Sequence, residues 1–449
     1  MEFLDKLVIL QPEADLHLLN YLLMLGMLIF FVYSGLLFGS ALLSVIFRPK
    51  DYNPIKERLS LDYIDLVNPN SLIGFGLGVV PMLSIIFLYT QLLHDTQAPV
   101  VTYLFVAFLL YLIALGLIYL YRHSLHLSNI LHITKETEGI DYADELELQE
   151  FKKTNTGINK GTAVWGIVFL FFSMWIFISS TAAAVDQSLW NEETGFFTII
   201  STFGGIAKSL QFFTASLAIT GVALTTKVFV WDKNPHSKNE DYANYAKKYN
   251  AAIAMIFTLV QPIFFVLNVV VTPKTAISNT LFGASIAVLI VIIITAHILY
   301  VQLKHKRYSL SNISFYLLIL AFAFVVVKEQ AAFNISNNEN IQELSVKYDE
   351  YQLEKMKALG TFVEVFNGEE IYEARCTACH GFDERKQGPP HKEVLPKYME
   401  NQEALVRFIL KPSRINQEYP AMPPPGLKPK EAKAVAEYMI EHYGPMLNK

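Results

Sequence analysis

The chain has 449 residues, of which 53% are hydrophobic and 17% charged, with a formal net charge of −5. A soluble protein of this length carries about 25% charge, so an ordinary soluble globule is excluded for the chain as a whole. The deficit sits in residues 1–330, while 331–449 read as a polar domain, and the small mixed net charge gives no footing for a nucleic-acid partner.

The opening stretch, "MEFLDKLVILQPEADLHLLN", lacks the basic start, compact apolar centre and small-residue cleavage site of a secretory leader. Eight apolar runs follow, at 18–47, 72–94, 99–121, 163–184, 196–226, 250–272, 280–302 and 310–328. A helix of about 20 apolar residues crosses a bilayer, and in lipid the backbone must satisfy its own polar groups. The expectation for 1–330 is therefore a polytopic all-α bundle. Basic residues fall in alternate connections: Arg48, Lys50, Lys56 and Arg58; Arg122, Lys135, Lys152, Lys153 and Lys160; Lys227, Lys233, Lys238, Lys247 and Lys248; Lys304, Lys306 and Arg307. The opposite set holds Lys6 and Lys274. By the positive-inside rule the first set is cytoplasmic, and both termini lie outside.

Polar residues inside the spans mark where function can sit. His17 falls at the outer edge of span one and His94 at the outer end of span two. Two neutral imidazoles can hold a b-type haem between them, and interfacial histidines bound to water or headgroups fit the same positions. Span five, "FFTIISTFGGIAKSLQFFTASLAITGVAL", puts Lys208 and Gln211 on one helix face. A lysine at mid-bilayer costs about 3 kcal/mol, so Lys208 is expected to face protein or a cavity, in a structural or a functional role. Gly204-Gly205 permits close packing or a kink. Residues 331–360 form a polar spacer with a helical second half, either a stiff arm or a helix on the membrane surface; about 20 helical residues reach about 30 Å.

The two cysteines of the chain stand in "EARCTACHGF". Cys376 and Cys379 are three apart, and His380 follows directly, which is the pattern of c-type haem attachment. Thiols at this spacing reach the two vinyl groups of one porphyrin, and the adjacent imidazole reaches the iron. A zinc half-site would need further cysteines, and a redox pair would want a βαβ setting. Bacterial haem c is attached on the outer side of the membrane, the side to which the basic loops assign the C-terminus.

Residues 361–443 resemble a class I cytochrome c. The resemblance rests on "TFVEVFNGEEIYEARC" before the motif, "QGPPHKEV" after it, the middle helix "EALVRFILKPS", the methionine loop "YPAMPPPG" and the terminal helix "KPKEAKAVAEYMIEHY". It implies a soluble all-α domain over 361–449, with the carbonyl of Pro389 or Pro390 holding the haem histidine. It also points to Met422 as the second axial ligand. Met422 lies 42 residues after His380 in a proline-stiffened loop, and a thioether opposite histidine raises the potential of the iron. Met399, Met439 and Met446 are rival thioethers, and His391 or His442 would give a bis-histidine centre of lower potential.

A second resemblance covers spans one to five. His17, "GFGLGVVPMLSIIFLY" and "SLQFFTASLAITG" are similar to subunit I of cytochrome bd quinol oxidases. It implies His17 as a haem ligand. The fifth-helix haem histidine of that family is matched here by Gln211, a poor iron ligand. Its third-helix acid has no counterpart in "VTYLFVAFLLYLIALGLIYL", and its Gly-Arg-Gln-Pro-Trp quinol motif is absent. These departures argue against oxygen reduction by this chain.

The expected role is an electron-transfer subunit of the bacterial inner membrane with its cytochrome domain in the periplasm. Electrons come from the quinol pool or a partner membrane subunit and leave to a soluble cytochrome or a terminal oxidase. The alternative is a scaffold whose helices carry no haem and anchor the haem c domain within a larger respiratory complex.

Overall fold

The computed structural model describes residues 8–49, 53–67, 71–133, 142–191, 194–231, 239–359 and 366–447, and among them every regular element is a helix. The chain divides into two compact units, Met1–Tyr351 and Gln352–Lys449.

The first unit is built from eight helices long and apolar enough to cross a membrane. They are α1 (Glu13–Phe47), α3 (Leu72–Leu92), α4 (Val100–Ile133), α5 (Tyr142–Ala183), α7 (Phe203–Thr226), α8 (Glu240–Val270), α9 (Asn279–His305) and α10 (Ser311–Ser336). Seven of the eight expected spans each lie on one of them, and span five is divided between α7 and a short helix before it. Two shorter helices join the set, α2 (Pro54–Ile64) and α6 (Phe196–Ile200). The start of α2 shows how local sequence sets an end: Asn53 Oδ1 accepts from the Lys56 amide at 3.1 Å, and Pro54 takes a position that needs no N–H.

Polar contacts tie the helix ends into two layers with an apolar middle. At one end, Arg58 pairs with Asp62 at 2.7 Å, and Asp62 accepts from the Tyr242 hydroxyl. Beside them Asp65 accepts from Arg122 at 2.6 Å, and Lys227 donates to the Asp65 carbonyl at 2.8 Å. Lys247 lies 5.7 Å from the Tyr308 ring, which brings in the connection after α9. The described basic residues of the four Lys/Arg-rich connections thus belong to one end of the bundle; Lys6, Lys50, Lys135, Lys233 and Lys238 lie outside the described residues. At the opposite end Gln187 donates to the Ser336 carbonyl, and Asn337 and Asn340 both donate to the Leu92 carbonyl at 2.8 Å. The helices therefore run alternately up and down.

Two spans differ from the sequence expectation. Span five is interrupted: α6 stops at Ile200, and α7 begins after Thr202, whose side-chain hydroxyl caps the Gly205 amide at 3.1 Å. Trp175 takes up the Ile200 carbonyl freed by the break, at 3.0 Å. Lys208 is consequently in the second turn of α7 rather than at the middle of a 196–226 helix. Span eight continues beyond 328 to Ser336, because Lys328 and Glu329 find partners inside the bundle. One close approach sets the α7–α8 seam: a Cβ on Gly221 would lie 2.7 Å from the Asn250 carbonyl oxygen, so only glycine lets the backbones meet there. After α10, Asn337 breaks the helix and α11 (Asn338–Ala358) starts, burying Ile341 and Leu344.

The second unit has α12 (Gly368–Arg375), α13 (His391–Val394), α14 (Gln402–Leu410) and α15 (Pro429–Leu447). Asn367 and Asn401 cap α12 and α14 through their side-chain oxygens. Tyr372, Leu395, Leu405, Ile409, Val435, Ala436 and Met439 form the core. Each aliphatic side chain of this kind contributes about 1.5–3 kcal/mol on full burial. Leu395, Leu405, Ile409 and Met439 of this core also line a cleft.

Candidate functional site

The cleft of the second unit brings together Cys376, His380, Pro389 and Met422, while Cys379 is not part of its lining. α12 ends at Arg375, and the chain turns so that the His380 amide donates to the Cys376 carbonyl at 3.0 Å. That turn holds Cys376 and His380 on one wall, both of which line the cleft. The thiols of Cys376 and Cys379 are not joined in a disulfide. Burial, and then the neighbouring Cys379, pushes the Cys376 thiol up to about 11, so it stays protonated at neutral pH.

His380 is fixed from behind. Its Nδ1 lies 3.1 Å from the Pro389 carbonyl oxygen. A carbonyl only accepts, so Nδ1 carries the proton and Nε2 keeps its lone pair. Among the described residues none bonds Nε2. The His391 ring stacks on His380 at 5.1 Å and 14°. Tyr443 donates to the Tyr372 hydroxyl at 3.3 Å, and Tyr372 in turn lies 2.9 Å from His391 Nε2. Burial first, and the nearby His380 second, hold His391 down to about 4, so it is neutral. Gly388 supplies the remaining contact, since a Cβ there would lie 2.6 Å from His380 Nδ1.

Met422 stands on the wall of the same cleft as His380 and Cys376. Its rivals sit differently. Met439 also reaches the cleft but is buried in the α15 core, Met399 packs against Gly444, and Met446 is exposed. His442 stacks on Tyr438, and His391 is engaged by Tyr372. Leu395, Leu405, Phe408 and Ile409 give the cleft apolar walls. The Cys376 thiol, an imidazole oriented through its far nitrogen and a thioether line one apolar slot, and Cys379, with Sγ 3.5 Å from Gln387 Oε1, stands three residues from Cys376 outside the lining; these donors suit one covalently held iron porphyrin. The donor set therefore fits haem c.

The fold and the site define a small all-α haem-binding electron carrier. A cytochrome c family model matches residues 365–442. Cytochrome c-551 of Pseudomonas denitrificans is 34% identical over 77 residues, which cover 16% of this chain and 94% of that protein. The chain belongs, through this domain, to the cytochrome c family. No solved structure matches the chain significantly.

In the first unit His17 sits in the opening turns of α1, 3.6 Å from Glu13, with its side chain 56% exposed. His94 follows the end of α3, 3.4 Å from Asp95. Each ring is engaged by its own carboxylate. Gln211 accepts from Asn268 Nδ2 at 2.6 Å, so the position that resemblance links to a haem histidine belongs to a hydrogen-bonded cluster.

That cluster was not legible in the sequence. Glu329 binds Lys208 at 2.6 Å and Lys328 at 2.7 Å, and Lys328 donates to Asn268 Oδ1 at 2.8 Å. Lys328 is fully buried. The available signal was the pair Lys328-Glu329 at the end of an apolar run, which reads as a helix leaving the membrane.

Proposed function

We propose that this protein is a membrane-anchored c-type cytochrome subunit. It takes electrons from the membrane, either the quinol pool or a partner subunit, and delivers them from the outer face to a soluble cytochrome or terminal oxidase. The observation that carries the reading is the convergence of Cys376, His380 and Met422 on one apolar cleft. Haem c, when bound, supplies one-electron iron chemistry. The chain's own residues tether, orient and tune: the cysteines anchor, Pro389 fixes the tautomer and angle of His380, and the apolar walls limit water.

The sorting of basic residues to one end of an eight-helix bundle supports a bacterial inner-membrane protein whose other end faces the periplasm. A b-type haem at His17 and His94 draws no support from their carboxylate partners.

A pyridine haemochrome measurement on the purified full chain tests the composition: one haem c per chain is expected, an additional haem b lost in His17→Ala would favour an electron path through the helices, and one haem c without haem b would favour the scaffold. Met422→Ala should abolish the sulfur-to-iron absorption at the red end while covalent haem is retained. Survival of that band would remove Met422 from the axial position. A protease added outside spheroplasts should release a haem-staining fragment; protection of that fragment would overturn the outward orientation.

A further inference from the structure

A groove in the first unit has a volume of about 450 Å³, within the roughly 300–1,000 Å³ of small-molecule sites. Leu28, Val32 and Leu36 of α1 form one wall, and Phe315 and Ile319 of α10 another. The stretch from Leu28 to Leu36 is about 12 Å long. Ile29, Leu77 and Trp231 also line the groove and are exposed, so it opens sideways, where a bilayer supplies acyl chains. Both π-helical turns among the described residues border it: Phe75–Val79 through Leu77, and Lys227–Trp231 through its two end residues. Turns of this kind recur at functional sites.

Lys227 is the one charged side chain among the described residues of the lining. Its Nζ donates to the Asp65 carbonyl at 2.8 Å and to the Leu66 carbonyl at 3.4 Å. Backbone carbonyls supply dipoles but no counter-charge, and an ammonium has a third N–H to give. The Asp65 carboxylate is already taken by Arg122 at 2.6 Å and His126 at 2.9 Å, and Asp62 is taken by Arg58 at 2.7 Å. Lys227 therefore brings a positive charge to the groove that no neighbouring carboxylate balances. The Trp231 indole donates to Asn312 at 3.2 Å, an amphipathic ring of the kind that sits at headgroup level.

We infer that this groove binds one anionic phospholipid, its phosphate on Lys227 and an acyl chain between α1 and α10. Anionic lipids give the cytoplasmic leaflet its negative surface, and the proposed orientation turns this basic end toward that leaflet. A zwitterionic lipid fills the same groove but brings its own cation, so the charge on Lys227 stays unbalanced. The inference rests on the helices spanning a bilayer and not on the haem, since none of the groove residues belongs to the cytochrome domain.

The test uses the full-length, delipidated protein with dioleoyl phosphatidylglycerol and dioleoyl phosphatidylcholine, which share their chains and differ in charge, read by native mass spectrometry. One phosphatidylglycerol per chain is expected, favoured over phosphatidylcholine by about fivefold, the preference that one lysine near a headgroup confers. Lys227→Gln should erase that preference. Ile319→Trp fills the groove and should weaken retention of phosphatidylglycerol by roughly tenfold. Lys274→Gln, an exposed lysine in the α8–α9 connection, should change neither. Equal retention of the two lipids, a preference that survives Lys227→Gln, or unchanged retention in Ile319→Trp would overturn the inference. So would displacement by inorganic phosphate at matched ionic strength, because phosphate carries the charge without the chain. If either groove variant fails to accumulate in membranes, the other decides together with the wild-type comparison. Covalent haem content, measured on the same samples, reports the cytochrome reading separately.

Discussion

Gly388→Ala perturbs His380, the proposed haem histidine, without replacing a proposed ligand. The new Cβ would lie 2.3 Å from His380 Cε1, 2.6 Å from Nδ1 and 2.8 Å from Nε2, whereas ordinary contact begins near 3.4 Å. The ring must retreat by about 1.1 Å, and overpacking of this kind costs about 1–3 kcal/mol. Movement away from the loop stretches the 3.1 Å contact of Nδ1 with Pro389 toward the limit of a hydrogen bond. Losing that bond removes about 1 kcal/mol of net interaction. It also leaves a less basic imidazole on the iron, which favours the ferrous form. At 59 mV per tenfold for one electron, a loss of about 1 kcal/mol from the ferric side raises the midpoint potential by about 40 mV. Equilibrium redox titration followed in the visible haem bands reads the shift, and guanidinium denaturation of the domain reads the strain. A potential within about 10 mV of wild type together with unchanged stability would refute the reasoning, because Gly388 would then not be the surface on which His380 rests.

Three further outcomes follow from the same contacts. Between pH 6.5 and about 4 the unfolded chain protonates His391 while the folded domain does not, so stability falls as the pH drops through that window. The loss is about 1.4 kcal/mol per pH unit, and denaturation midpoints of wild type and His391→Gln should converge at low pH if this is right. In the haem-free chain, maleimide labelling of Cys376 should rise about tenfold per pH unit until close to its value of about 11; a rate already flat at pH 7 would contradict the buried, protonated thiol. Gly221→Val drives a side chain against the Asn250 carbonyl, 2.7 Å from the built Cβ, and should destabilise the α7–α8 seam by about 1–3 kcal/mol. Unfolding in mixed detergent micelles measures it, and a wild-type midpoint would mean the helices stand further apart.

The spans were readable because hydropathy in lipid is a strong constraint, and the Cys-x-x-Cys-His group because its spacing has few other uses. What escaped was whatever depended on partners far along the chain. Lys208 looks like a lone mid-span lysine until Glu329, 121 residues later, is folded against it. Span eight seemed to end at 328 because Lys328-Glu329-Gln330 is a polar run, and only tertiary pairing keeps such a run helical and inside. The break at Thr202 was present as Thr-Phe-Gly-Gly, yet a cap competes with continued helix, and Trp175 tips the balance from another element. In the cytochrome domain the roles proposed for Cys376, His380 and Met422 come from local motifs. The stacking of His391 and the contact at Gly388 required the cleft itself.

The long interval between Lys208 and Glu329 has a consequence for how the protein is made. A ribosome adding about 5–20 residues per second needs on the order of ten seconds to cover the 121 residues between them. Throughout that delay the fifth span holds an ammonium whose carboxylate has not been synthesised. Its place in the second turn of α7 lets a flexible stem reach toward headgroups in the meantime. A chain that terminates before Glu329 leaves the Lys208 ammonium without the carboxylate it meets in the folded bundle.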